Sequence, residues 1–275
     1  MTNRPLILIT NDDGIDSPGL HAAAATAADL GDLLIMAPSS QRTGAGRGFP
    51  PVRDKAIYTT TIPLGQGTHP AYTADVSPAQ AVQLALLELA ERPIDLCISG
   101  INYGENLGSG VTISGTVGAA LEAACSGIPA LAVSRETPQE FHLNNSPIID
   151  FDVAAHFTRL FAWQTLRQGF PRGVDLLKID VPAGASDQTP WRLARISRQR
   201  YYQTLPSGRA RLDEPMDLRY RIHIDHDNLE PGSDIHTVMV DKLVAVVPMT
   251  FDLTAPVALD EISRFFDARR DEDRR

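Results

Sequence analysis

Four short runs of almost unbroken apolar residues, Leu6 to Thr10, Leu33 to Ala37, Leu96 to Ser99 and Ala130 to Ser134, and a fifth strand-like run, Leu176 to Val181, interrupted by Lys178 and Asp180, punctuate the first two thirds of the chain. A strand apolar on both faces must be covered from both sides, and strands alternating with helices build a mainly parallel sheet with helices on each face. The alternation therefore predicts an α/β fold with a Rossmann-like, doubly wound sheet. Helix signals fill the gaps. Ser17 and Pro18 open an Ala-rich helix, Gly19 to Leu30, with Gly31 past its end; Ser77 and Pro78 open another that runs to about Glu91. Val117 to Cys125 and Phe151 to Arg167 complete the set, and Ile57 to Ile62 and Ala71 to Ala74 supply further strands.

Residues 1–190 thus form the expected catalytic core. Beyond Pro190 the pattern changes to alternating residues, as in Arg219-Tyr220-Arg221-Ile222-His223-Ile224, with turn signals at Pro206 to Gly208 and Pro231 to Ser233. Such runs predict a β-hairpin arm over 191–242. Leu243 to Val247 is expected to return to the sheet and Leu259 to Phe266 to form a terminal helix, both within 243–268. The charged stretch Arg269 to Arg275 is expected to be disordered.

The 275 residues carry 25 Lys and Arg against 34 Asp and Glu, a formal charge of −9. That balance argues against a surface that coats a nucleic-acid polymer, so an anionic substrate would need local help from a metal or from backbone N–H groups. Cys97 and Cys125, the two cysteines, lie in apolar segments and are expected to be buried free thiols in a reducing cytoplasm. No cleavable leader and no run of roughly 18 apolar residues stands out, so neither export nor membrane insertion is expected.

The chemistry concentrates where the first strand ends in Asn11-Asp12-Asp13-Gly14. Ligands of open α/β sheets bind just beyond the carboxyl ends of such strands. Two adjacent carboxylates there repel each other and resist desolvation, which invites a hard cation such as Mg or Mn; the alternative is that Asp and Gly merely supply turn chemistry. Two more polar, glycine-rich loops follow buried strands: Ser39 to Gly44, and Ser99-Gly100-Ile101-Asn102-Tyr103-Gly104-Glu105-Asn106-Leu107-Gly108. Oxygen donors from all three, without His or Cys, suit Mg, Mn or Ca rather than Zn. Ser114-Gly115-Thr116 precedes a helix, where free N–H groups and hydroxyls make either an anion site or a simple N-cap.

In combination, the TNDDG opening followed by SPG, the SGINYGENLG stretch and the SGTVGAALEA stretch closely resemble the SurE family of survival-protein nucleotidases. The resemblance covers Leu6 to about Ser134, with weaker echoes in Lys178-Ile179-Asp180-Val181-Pro182 and Gly232-Ser233-Asp234. It implies hydrolysis of nucleoside 5′- or 3′-monophosphates with one divalent cation per subunit (Mg, Mn or Ca). It further implies that Asp12, Asp13 and Asn102 are metal ligands and that Ser114, Gly115 and Thr116 cradle phosphate. Thr43 stands where the family usually places a Ser in an N-R-S-G stretch, and its hydroxyl keeps an oxygen there. The family also implies a homo-oligomer, dimer or tetramer, whose C-terminal arm reaches a neighbour; the alternating Arg219 to Val240 segment is suitable material.

On this view the cation held by Asp12 and Asp13 binds a phosphoryl oxygen and activates a water as nucleophile. Asn11 either orients that water or the phosphate, the favoured role, or caps the turn. Asn106 either stabilises its loop, the favoured role, or touches substrate. A covalent aspartyl route is disfavoured, because haloacid-dehalogenase-type phosphatases separate their two acids by one residue. A non-catalytic nucleotide or phosphate sensor on the same fold is the alternative function. His223, Asp225, His226 and Asp227 fall on both faces of a period-two strand and are expected to be surface or interface residues. His21 and His236 have no evident role, and Arg42 and Arg47 are either solvated or meet an anionic substrate.

Overall fold

The structure is a computed structural model that describes residues 4–272. Its strands are β1 (Leu6–Thr10), β2 (Asp32–Pro38), β3 (Tyr58–Leu64), β4 (Gly67–Ala74), β5 (Leu96–Tyr103), β6 (Ala130–Arg135), β7 (Leu176–Val181), β8 (Trp191–Leu193), β9 (Tyr202–Thr204), β10 (Tyr220–Ile222) and β11 (Val244–Met249). The helices are α1 (Pro18–Ala27), α2 (Pro78–Leu84), α3 (Gly115–Cys125), α4 (Asp152–Gln168) and α5 (Leu259–Glu272). One nine-stranded sheet has the order β3-β4-β2-β1-β5-β6-β7-β11-β8. From β4 to β7 every pairing is parallel; β3 and β11 add antiparallel neighbours. The α/β fold with a mainly parallel, doubly wound sheet is as expected. Chain order runs outward in opposite directions from β1, through β2 on one side and β5 on the other, which opens a crevice at their carboxyl ends.

Strand alternation divides the core between two faces. Ile7 and Ile9 pack with Leu20, Ala23 and Ala27 of α1 and Phe157 and Phe161 of α4. Leu6 and Leu8 pack with Val82 of α2 and Val117, Ala120 and Ala123 of α3. A third cluster, including Leu107, Tyr201, Ile235 and Val247, fastens the base of the arm to β11.

Several boundaries differ from expectation for identifiable reasons. α1 stops at Ala27, where the Leu30 and Gly31 amides both turn back to the Ala27 carbonyl. α2 begins with the expected Ser77 cap, reinforced by Gln80 in a reciprocal capping box, but becomes a π-helical turn at Ala85–Leu89. β5 continues past Ser99 because Gly100, at φ +130°, lets the strand slip register against β6 and resume pairing at Asn102 and Ser134. A Cβ at Gly100 would lie 2.3 Å from the Val133 carbonyl oxygen. Trp191–Leu193 joins the main sheet beside β11, while β9 and β10 form a separate antiparallel pair. α5 extends to Glu272, so the segment expected to be disordered begins inside this helix, and 273–275 lie outside the described residues. Cys97 is buried as expected, but Cys125, on the last turn of α3, faces solvent. Among the described residues no helix is long and apolar enough to cross a membrane.

Candidate active site

At the end of β1 the chain turns through Asn11 to Gly14. Asn11 uses both ends of its amide to make that turn, accepting from the Gly14 N–H (3.1 Å) and donating to its carbonyl (3.0 Å). Of its two considered roles, the geometry displays the turn cap. Asp12 and Asp13 follow and are only 4% and 2% exposed. Adjacent parallel strands bring the partner loops alongside. The Arg42 N–H after β2 donates to the Asp12 carbonyl (2.6 Å), and Gln41 Nε2 donates to Asp13 Oδ1 (2.9 Å) and to the His142 carbonyl (2.7 Å). From β5 the Tyr103 N–H donates to Asp13 Oδ2 (3.1 Å).

The N-terminus of α3 closes the other side of Asp12. Thr116 Oγ1 donates to Asp12 Oδ1 (2.5 Å), and the Ser114 hydroxyl accepts the Val117 N–H (3.1 Å) as an N-cap. Gly115 is required by proximity: a Cβ there would come within 2.6 Å of Asp12 Cβ and 2.7 Å of Oδ2.

Burial dominates the acid–base state of the pair. It raises Asp12 from its ordinary 3.8 to about 6 against the opposing Thr116 hydrogen bond, and it raises Asp13 to about 8 with help from the neighbouring Asp12 charge. Among the described residues no Lys or Arg side chain forms a salt bridge with either acid. Burial thus keeps a proton on the pair at neutral pH, and among the described residues no protein cation takes its place. The Asn102 amide NH₂ is committed to the Tyr103 carbonyl (3.3 Å) and the Gly104 carbonyl (2.6 Å), which leaves its side-chain oxygen as a ligand atom. With the Thr43 hydroxyl, the donor set is two carboxylates, an amide oxygen and a hydroxyl, which fits a hard divalent cation. Among the described residues no three His, Cys, Asp or Glu side chains cluster as a metal site.

Asp12, Thr43, Asn102, Asn106 and Ser114 line one cavity of about 440 Å³. Asp13, Asn11, Gly115 and Thr116 do not line it; both acids are held from below. Asn106 displays the loop role: its amide donates to Ser134 Oγ (2.8 Å) and its N–H to Asp180 Oδ1 (2.8 Å). Arg47 is paired with buried Glu122 (2.6 Å) and Arg42 with Asp75, so neither guanidinium is simply solvated. His21 binds the Ile15 carbonyl and His236 faces Asp241. Asp225 accepts from Asp227 and Asn228 at a short exposed turn, and His223 and His226 are exposed.

Three features escaped sequence reasoning. Gln41 bridges Asp13 to His142, an aromatic wall of His142, Tyr202 and Tyr220 closes the far side of the cavity, and a buried ion cluster supports its floor. In that cluster Lys178 Nζ donates to Asp180 Oδ2 (2.5 Å), Asp234 Oδ2 (3.0 Å) and the Asn106 carbonyl (2.8 Å), with all three charged side chains fully enclosed. Asp234 also accepts from the Gly108 and Ser197 amides. The sequence signal for the cluster was the pair of weaker echoes at Lys178 to Pro182 and Gly232 to Asp234, which the fold brings into contact.

Fold and site together define a doubly wound α/β protein with an acidic, oxygen-donor centre at the sheet's switch point, facing a helix N-terminus. The family model of "Survival protein SurE" matches residues 7–203, and the chain belongs to that family. A "5'-nucleotidase SurE" of Thermococcus gammatolerans is 38% identical, covering 93% of this chain and 94% of that protein. One from Methanocella arvoryzae is 39% identical, covering 94% and 96%. The crystal structure of a SurE protein from Aquifex aeolicus superposes with a TM-score of 0.72 at 27% identity, covering 91% of this chain and 95% of the other.

Proposed function

We propose that this protein is a divalent-metal-dependent 5′-nucleotidase that hydrolyses nucleoside monophosphates to nucleoside and phosphate. The observation that carries the proposal is the buried Asp12–Asp13 pair, in salt bridge with no Lys or Arg among the described residues, of which Asp12 lines a small cavity beside the start of α3. The names of full-length relatives support the substrate class.

A divalent cation, when bound, supplies charge neutralisation at the phosphoryl group and lowers the pKa of water. Asp12, Asp13, Asn102 and Thr43 are the residues that would hold it. The chain's own contribution is positional and electrostatic. Thr116 holds the Asp12 carboxylate and the Arg42 N–H its backbone carbonyl, while Gln41 and the Tyr103 N–H hold the Asp13 carboxylate, so both acids are oriented in advance. The start of α3 serves the acid as well: the Gly115 and Thr116 N–H groups and the Thr116 hydroxyl all act on the Asp12 carboxylate, while Ser114, which lines the cavity, caps Val117 with its hydroxyl.

Release of inorganic phosphate from AMP, assayed with Mn or Mg and with 3′-AMP in parallel, tests the proposal. The expected result is turnover that stops in EDTA and in Asp12→Ala. Turnover that survives complete chelation would overturn the metal scheme, and tight AMP binding without phosphate release would establish the sensor instead. A homo-oligomer built through the arm belongs to the same proposal, supported by the exposed Leu212, Met216 and Leu218; a monomer by light scattering at micromolar concentration would refute it.

A further inference from the structure

The cavity is chemically two-sided. It is lined by Asp12, Asn102 and Ser114, which carry oxygen donors, and by the rings of His142, Tyr202 and Tyr220 together with Leu218; Ile113 adjoins Ser114. The rings form a braced unit. Tyr202 is edge-to-face with Tyr220 (centroids 5.2 Å, 74°) and with His142 (5.8 Å, 84°), while His142 and Tyr220 lie nearly parallel (13°). Their polar atoms are all occupied. His142 Nε2 lies 3.0 Å from the Thr137 carbonyl, which can only accept, so Nε2 carries the proton and Nδ1 receives the Tyr220 hydroxyl (3.0 Å). The Tyr202 hydroxyl donates to the Glu105 carbonyl (3.1 Å), and Gln139 Nε2 donates to the Tyr220 carbonyl (2.8 Å).

With the phenols and the imidazole spent on protein partners, the wall offers a ligand ring surface rather than hydrogen bonds. Leu218 and Ile113, 63% and 56% exposed, add apolar surface to the same cavity. A cavity of about 440 Å³ is of the size that accepts one small organic ligand. A phosphoester bound at the acidic end must project its organic part toward the rings.

Resting on the proposed nucleotidase reading, we infer that the His142–Tyr202–Tyr220 wall seats the nucleobase by stacking and that Tyr220, supplied by the arm, is a specificity-determining residue. Tyr220 belongs to β10, so the arm supplies one of the rings of the wall. Stacking accepts any flat base, and it favours purines over pyrimidines through greater contact area.

The test compares kcat/KM for AMP, CMP and ribose 5-phosphate in the wild type, Tyr220→Ala and Tyr220→Phe. Base–aromatic stacking is lost on truncation by about 5- to 150-fold. The expected result is an AMP to ribose 5-phosphate ratio that falls by that factor in Tyr220→Ala, mainly through KM, and recovers in Tyr220→Phe. Calorimetric titration with adenosine, which carries no phosphate, should show Kd raised by the same factor in Tyr220→Ala. A ratio that stays at its wild-type value, or adenosine affinity equal in the wild type and Tyr220→Ala, would overturn the inference while leaving the nucleotidase reading intact. Absence of phosphate release from every substrate would instead remove the nucleotidase reading, and the adenosine titration would still decide the role of the wall.

Discussion

Proton competition at the Asp12–Asp13 pair gives the most discriminating test of a shared cation. The perturbation is pH. The pair titrates near 6 and near 8, so above pH 8 both carboxylates are free, between 8 and 6 one proton must leave as a dication enters, and below 6 two must leave. Apparent affinity for Mn should fall about tenfold per unit across the middle window. That is on the order of 100-fold from pH 8 to pH 6. Titration calorimetry at pH 6, 7 and 8, repeated in two buffers of different ionisation enthalpy, reads both the slope and the proton count, with about one proton released per Mn at pH 7. Stability carries the opposite sign without metal. Both acids titrate above their ordinary 3.8, so the folded, metal-free chain holds extra protons; their stabilising effect is complete below about pH 4 and is lost as pH climbs through 6 and 8. Saturating Mn should therefore raise the Tm more at pH 8 than at pH 6. Affinity that is flat from pH 6 to 8, with no proton release, would refute the shared-cation scheme.

Other perturbations probe the neighbouring parts. Gly115→Ala places a methyl group against Asp12 and should lower kcat/KM by on the order of 100-fold, with a stability loss of about 1–3 kcal/mol; unchanged turnover would show that Asp12 has room to move. Lys178→Met strands two enclosed carboxylates and should cost about 3–5 kcal/mol, read as a lower urea midpoint, with partial recovery when Asp180→Asn and Asp234→Asn are added; a midpoint within error of wild type would refute this. Maleimide should label one thiol in the native protein, Cys125, and two in denaturant, because burial both hides Cys97 and pushes its pKa up to about 12; rapid labelling of two thiols in the native state would contradict that packing.

The elements legible in the sequence were those whose signals are local and redundant. Leu6 to Thr10 announces a buried strand by composition, Ser77-Pro78 announces a helix by its cap, and the acid pair announces a site by its cost. Ser114, Gly115 and Thr116 were legible as a helix start, but not that Thr116 would spend its hydroxyl on Asp12. What stayed hidden depends on register and distance. The slip at Gly100 extended β5 to place Asn102 on a strand, a feature no periodicity reveals. Gln41 reaches His142 across 101 positions, and Tyr220 meets His142 across 78, so the rear wall of the cavity exists only once the arm has folded back. Cys125 was misplaced because an apolar neighbourhood in sequence says nothing about which side of a helix its final turn presents.

The enclosed Lys178 has a mechanical consequence. It acts as an internal strut that welds the Asn106–Gly108 segment to β7 and to the chain around Asp234. A loop anchored so firmly cannot swing to admit substrate. The other side of the chamber is supplied by the β9–β10 ribbon, which is tied through Tyr202 and Tyr220 to Glu105 and His142.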